Sequence, residues 1–218
     1  MRSIFGTLGV LCNFYAVDHL VLADASILNK MSPFFTVLFS WLILKEKVMP
    51  IQFSLIFGAF LGSIFVVKPT FSNLALVPSL LGFFGGICAG AAYTMVRKLG
   101  EAGEKGPVIV LFFSVFSCVV VLPWLVFGYH PMTWQQAGIL LLAGCAAAGG
   151  QFAITAAYRY SPASRISIYD YSQLIFSTML GFFIFGQVPD GWSFLGYGII
   201  CLMAIFMFVY NNRKEKCP

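Results

Sequence analysis

Apolar residues run along this chain in eight long blocks. They cover roughly residues 3–17, 25–44, 51–67, 77–96, 107–127, 135–158, 163–186 and 192–210, here called segments A to H. Charges or chain breakers stand between them: Asp18-His19 with Asp24, Lys45-Glu46-Lys47, Lys68-Pro69, Arg97 through Gly106, Gly128 through Pro131, Arg159 with Pro162, and Pro189-Asp190-Gly191. The blocks are too long for strands and lack period-two alternation. A helix that crosses a bilayer needs roughly 20 apolar residues. The pattern therefore predicts an all-α polytopic membrane protein with eight transmembrane helices. Most connections are short, which makes sequential helices antiparallel neighbours.

Composition supports this class. Of 218 residues, 60% are hydrophobic and 10% charged, whereas a soluble domain carries about 25% charged residues. A soluble fold cannot hide so many apolar groups or cover its surface with so few charges. That excludes a soluble globular enzyme, a nucleic-acid binder and a disordered chain. The net charge of +5 is clustered in loops and reports orientation in a membrane. With both ends cytoplasmic, the inside segments hold Arg2, Lys45, Lys47, Arg97, Lys98, Lys105, Arg159, Arg165, Arg213, Lys214 and Lys216, eleven of the thirteen Lys and Arg. Lys68 falls outside and Lys30 within segment B. The positive-inside rule then predicts both termini on the cytoplasmic side of a plasma or inner membrane. Five of the six cysteines sit in apolar runs and none forms a C-x-x-C pair, so they read as small buried hydrophobes. Arg2, the apolar run to residue 17 and Ala23-Asp24-Ala25 also have the outline of a signal peptide.

An internal repeat favours a retained helix instead. Shifted by 141 residues, positions 14–67 align without a gap on 155–208, since Asp18 falls on Arg159 and Asp24 on Arg165 (159 − 18 = 165 − 24 = 141). Identities such as Ser26/Ser167, Ile27/Ile168 and Phe35/Phe176 are few for so apolar a chain. The loop charges are the stronger sign. Acidic corners become basic ones, and Lys45 and Lys47 become Gly186 and Val188. Two copies in opposite orientation need such a swap under the positive-inside rule. Segments A–B–C and F–G–H thus read as inverted-topology repeats, within halves at 1–106 (A–D) and 107–218 (E–H). Two such halves can expose a central site to one side and then the other, which is the physical case for a secondary transporter. The alternative is a truncated or non-transporting membrane scaffold of the same fold.

The run Leu20-Val21-Leu22-Ala23-Asp24-Ala25-Ser26, then Ser32-Pro33-Phe34-Phe35 and Leu44-Lys45-Glu46-Lys47, resembles the EamA repeat of the drug/metabolite transporter superfamily. The stretch Ala157-Tyr158-Arg159-Tyr160-Ser161-Pro162-Ala163-Ser164, ending at Phe185-Gly186-Gln187, resembles the same repeat. The resemblance implies ten helices in two inverted five-helix halves that move small metabolites. By that reading Arg2-Ser3-Ile4-Phe5-Gly6 starts the third family helix, and two helices are missing ahead of it. Gln187 stands where the family pattern prefers Glu, and Leu174 where the first copy has Pro33.

Candidate site residues follow from polar groups at membrane depth. Lys30 and Asp170 are the plainly intramembrane charges, and such charges mark function by default. Asn29 aligns with Asp170 and Lys30 with Tyr171. Counted from the segment ends, Lys30 lies roughly 9 Å from the outer face at 1.5 Å per residue and Asp170 as far from the inner face, so the two are expected at different levels. Pro33 removes a backbone donor, frees the carbonyl of Asn29 and reads as a hinge or kink. Asn13, Tyr93, Gln151, Thr155, Tyr169, Tyr171 and Gln173 complete the substrate-binding or coupling candidates. Each has a plain alternative: Lys30 snorkelling to the interface, the others hydrogen-bonding between helices. Gly82, Gly86 and Gly90, with Gly58 and Gly62, suggest close packing within the chain or a homodimer through Gly-rich faces. No catalytic, P-loop or metal motif is present in the sequence, so no enzyme activity, cofactor or metal is expected. The partners expected are the bilayer, a small-molecule substrate and a coupling proton, without nucleic acid.

Overall fold

The computed structural model describes residues 1–20, 22–67, 76–128, 131–186, 188 and 191–216. Every regular element among them is helical. Six segments each become one helix: A is α1 (Arg2–His19), C is α4 (Pro50–Val67), D is α5 (Leu76–Glu101), E is α6 (Gly106–Phe127), F is α7 (Trp134–Tyr160) and H is α10 (Gly191–Lys216). Segments B and G are interrupted. B divides into α2 (Leu22–Asn29) and α3 (Ser32–Phe39), which runs on as a π-helical turn, Ser40–Leu44. G divides into α8 (Ala163–Ile166), a 3-10 turn (Ser167–Tyr171) and α9 (Ser172–Phe185). Lys68, His130, Gln187 and Asp190 lie outside the described residues.

Local chemistry sets these ends. Thr133 and Gln136 form a reciprocal cap at the start of α7, Gln136 N donating to Thr133 Oγ1 at 3.4 Å and Thr133 N to Gln136 Oε1 at 2.9 Å. Pro107 occupies the first turn of α6, where a missing N–H removes no helical bond. The π turn ends at Lys45, whose φ of 55° is left-handed.

Among the described residues, six helical stretches are long and apolar enough to cross a membrane: Ala25–Leu44, Pro50–Val67, Leu76–Glu101, Gly106–Phe127, Trp134–Tyr160 and Gly191–Asn212. The expected count of eight is an overstatement by this measure. α1 carries Arg2, Asp18 and His19 within its 18 residues, and the 3-10 turn leaves α9 with 14.

Lipid offers no hydrophobic force to pull helices together, so close packing rests on small residues. α1 lies antiparallel on α5 through Gly9 and Gly85; a Cβ on Gly9 would lie 3.3 Å from both the Ala89 N and the Gly85 carbonyl oxygen. Gly90 faces α3, where a Cβ would come 2.6 Å from the Phe35 Cβ and 2.8 Å from the Thr36 N. Gly62 of α4 meets Gly196 and Ile199 of α10. Both glycine stripes thus pack within the chain. Val37, Ile56, Ile168, Tyr171, Ile200 and Met207 form the largest buried cluster, where α3, α4, the 3-10 turn and α10 converge.

Candidate functional site at two crossed helix breaks

The interruptions of B and G overlap at positions 30 and 171, which the 141-residue shift aligns, and they touch. In B, the amide that would bond the Asn29 carbonyl is absent because residue 33 is proline. Phe34 N donates to Met31 O at 3.1 Å, an i−3 rather than i−4 partner, which leaves the Lys30 carbonyl for another donor. That donor is Tyr171, whose hydroxyl reaches it at 3.1 Å. In return Lys30 Nζ donates to the backbone carbonyl of Asp170 at 3.1 Å and to Gln173 Oε1 at 2.7 Å. Lys30 and Tyr171, the pair that the 141-residue shift aligns, therefore meet where the two interruptions cross.

Lys30 thus bonds to segment G, against the snorkelling alternative. One sequence reading is corrected: Lys30 reaches the level of Asp170, contrary to the depth count. α2 begins at Leu22 rather than at 25, which sets Lys30 about 12 Å along its segment. The 3-10 turn stretches the path to Asp170 because its rise is about 2.0 Å per residue. Two such depths cover most of a roughly 30 Å core, and the long lysine side chain spans the remainder. The Asp170 carboxylate has a different partner: Tyr158 of α7 donates to its Oδ2 at 2.9 Å.

A cavity of about 180 Å³ with a mixed polar and apolar lining opens beside this crossing, with Asn13, Asn29, Tyr93 and Gln151 among its lining residues. The Tyr93 ring stacks on Tyr158 at 5.0 Å between centroids and 7° between planes, joining the cavity wall to the Asp170 partner. Thr155, one turn from Tyr158, is buried, and its Oγ1 has no hydrogen-bond partner. The structure thus gathers Lys30, Asp170, Tyr171 and Gln173 at the crossing, and Asn13, Asn29, Tyr93 and Gln151 at the cavity. Pro33 is buried at the start of α3, beside the break it helps to cause. Tyr169 is 40% exposed and joins neither group.

Sequence reasoning missed two parts. The first is Arg2, which was counted among loop charges. Gly9 lies against Ala89 and Gly85 against Asn13, so antiparallel register puts Arg2 near the level of Val96, roughly 8 Å inside the end of α5. It is a buried cavity residue that bonds Gln151 Oε1 through Nη2 at 3.3 Å. The small residues of A and D carried that register in the sequence. The second part is a clasp at the end of the bundle where α5 finishes. Arg97 Nε donates to Glu46 Oε1 at 2.8 Å and its Nη1 to the Arg159 carbonyl at 3.1 Å. Glu46 Oε2 accepts from Ser40 Oγ at 2.5 Å and from the Ala163 backbone N at 3.3 Å. One carboxylate thereby ties the corner after B to the corner between F and G.

Comparison with known proteins agrees with this architecture. The model of the EamA-like transporter family matches residues 1–68 and 77–209. The pseudopaline exporter CntI of Pseudomonas aeruginosa is 31% identical over 205 residues, which span 94% of this chain and 72% of that protein. A riboflavin transporter of Vibrio cholerae is 29% identical over 193 residues, 85% of this chain and 62% of that protein. A solved crystal structure superposes with a TM-score of 0.80 at 15% identity over 98% of this chain and 77% of its own, a likeness of fold. With its six apolar helices long enough to span a bilayer, the chain is a multi-pass membrane protein, and it belongs to the EamA-like transporter family.

Proposed function

We propose that this protein is a secondary transporter that moves a small metabolite by alternating access, with the crossed breaks of B and G as the pivot and part of the solute site. One observation carries the reading: repeat-equivalent positions 30 and 171 hydrogen-bond to each other where both helices are interrupted. Interrupted helices at the interface of inverted repeats free backbone groups for ligands at mid-membrane. Bonds such as Lys30 to the Asp170 carbonyl can be exchanged for solute contacts without moving a whole helix. The halves 1–106 and 107–218 would then rock about this point. Asp170 serves as the coupling or substrate-binding carboxylate, able to exchange a proton or a solute cation. The relatives named for pseudopaline and riboflavin support a small organic solute. The cluster of positive charges near the Glu46–Arg97 clasp supports a cytoplasmic location for that end and for both termini in a cell membrane.

Proteoliposomes loaded with a defined metabolite mixture and given an imposed proton gradient test this. Wild-type vesicles should exchange at least one metabolite faster than empty vesicles. Asp170→Asn, which keeps the shape but cannot titrate, should lose most of that flux. Equal flux from Asp170→Asn at equal protein density would remove Asp170 from the mechanism.

A further inference from the structure

We propose that the cavity at the start of α1 binds the carboxylate of a small organic acid, with the Arg2 guanidinium as its partner. This rests on the transport reading above and extends its solute site from the crossed breaks to the cavity that opens beside them. Arg2 is 7% exposed, and its Nε is buried with no hydrogen-bond partner. Its described contacts are neutral: the Gln151 oxygen at 3.3 Å and the face of the Phe113 ring, 4.2 Å from Cζ to the centroid. None of the ion pairs among the described residues includes Arg2.

A cation withdrawn from water without a counter-ion is costly, and an amide oxygen and a ring face offset only part of that cost. An arriving anion supplies the missing counter-charge to the guanidinium. The site should therefore prefer an anion to a neutral molecule of the same shape. Its chemistry narrows the class. The planar guanidinium matches the two oxygens of a carboxylate. Arg2 is the sole cation among the residues lining the cavity, which suits one negative charge rather than a phosphate dianion. Asn13, Asn29 and Gln151 offer neutral hydrogen bonds around it, and Val10, Phe14 and Tyr93 offer an apolar wall for the organic body.

Binding in detergent tests this without requiring transport. The probes are phenylacetate and hippurate, each paired with its neutral primary amide. Ligand-dependent thermal unfolding of the full chain should give each acid an affinity at least about tenfold above its amide. Arg2→Gln should abolish the preference, and Arg2→Lys should weaken acid binding while leaving amide binding unchanged. Equal binding of acid and amide by the wild-type protein, or no binding of either acid, overturns the proposal. So does an acid preference that survives Arg2→Gln. Should Arg2→Gln not fold, Arg2→Lys decides: unchanged acid affinity overturns the proposal. Acid-selective binding in a protein that carries no solute across vesicles would refute the transport reading and leave this one standing.

Discussion

At the scale of single residues, two buried hydroxyls one helical turn apart have opposite roles. Tyr158 donates to the Asp170 carboxylate and stacks on Tyr93. Tyr158→Phe keeps the ring but leaves a half-buried carboxylate without that donor, and should destabilise by about 1 kcal/mol. Thr155 Oγ1 has no partner to lose, so Thr155→Val, nearly the same shape without the unsatisfied hydroxyl, should unfold at the same temperature or slightly above wild type. Thermal unfolding of both variants in one detergent checks the contrast; a loss for Thr155→Val equal to that of Tyr158→Phe would mean that Thr155 has a structural partner. Individual polar residues were legible in the sequence because they stand out against an apolar background. Their partners were not. Arg2 looked like a loop charge, because its depth depends on how α1 slides along α5, and that register is fixed by glycine contacts between segments far apart in the chain.

At the scale of elements, all eight apolar segments were legible from hydrophobic runs and breakers, most ends lying within three residues, with D and H ending five and six residues later than the apolar runs. What the runs concealed was continuity. Segment B contains Pro33 and could be expected to bend; its α-helical ladder is interrupted by a turn at Lys30 and Met31 between α2 and α3, while the stretch Ala25–Leu44 stays one span. Segment G has no proline in its interior and still contains a 3-10 turn. A depth count assumes straight helices, and so it separated Lys30 from Asp170. Elements are held together by contacts with little tolerance. A side chain at Gly90 meets the backbone and Cβ of α3 at under 3 Å, so Gly90→Val should separate α3 from α5 and prevent folding. The clasp is more forgiving. Glu46→Gln keeps hydrogen bonding to Ser40 but drops the ion pair with Arg97, which is mostly shielded from solvent. Arg97 keeps a second carboxylate, Glu101 at 3.0 Å, so we expect Glu46→Gln and Arg97→Gln each to lower the melting temperature and the double variant to lose less than the sum of the two. Additive losses from the two changes would show that the pair is not coupled.

At the scale of the whole molecule, the swapped loop charges suggested two halves in opposite orientation, and the two breaks meet at positions related by the same shift. A bundle pivoting at that point has a simple consequence for access. Asn29 adjoins the break and lines the cavity, so it should be reachable from each side of the membrane in turn. The decisive measurement is labelling of Asn29→Cys, in a background free of the six native cysteines, by a membrane-impermeant thiol reagent applied to vesicles of either orientation. Alternating access predicts modification from both sides, with a solute that is transported slowing both reactions. Modification from one side only, whatever solute is present, would contradict the account and mark the protein as a scaffold that does not open both ways.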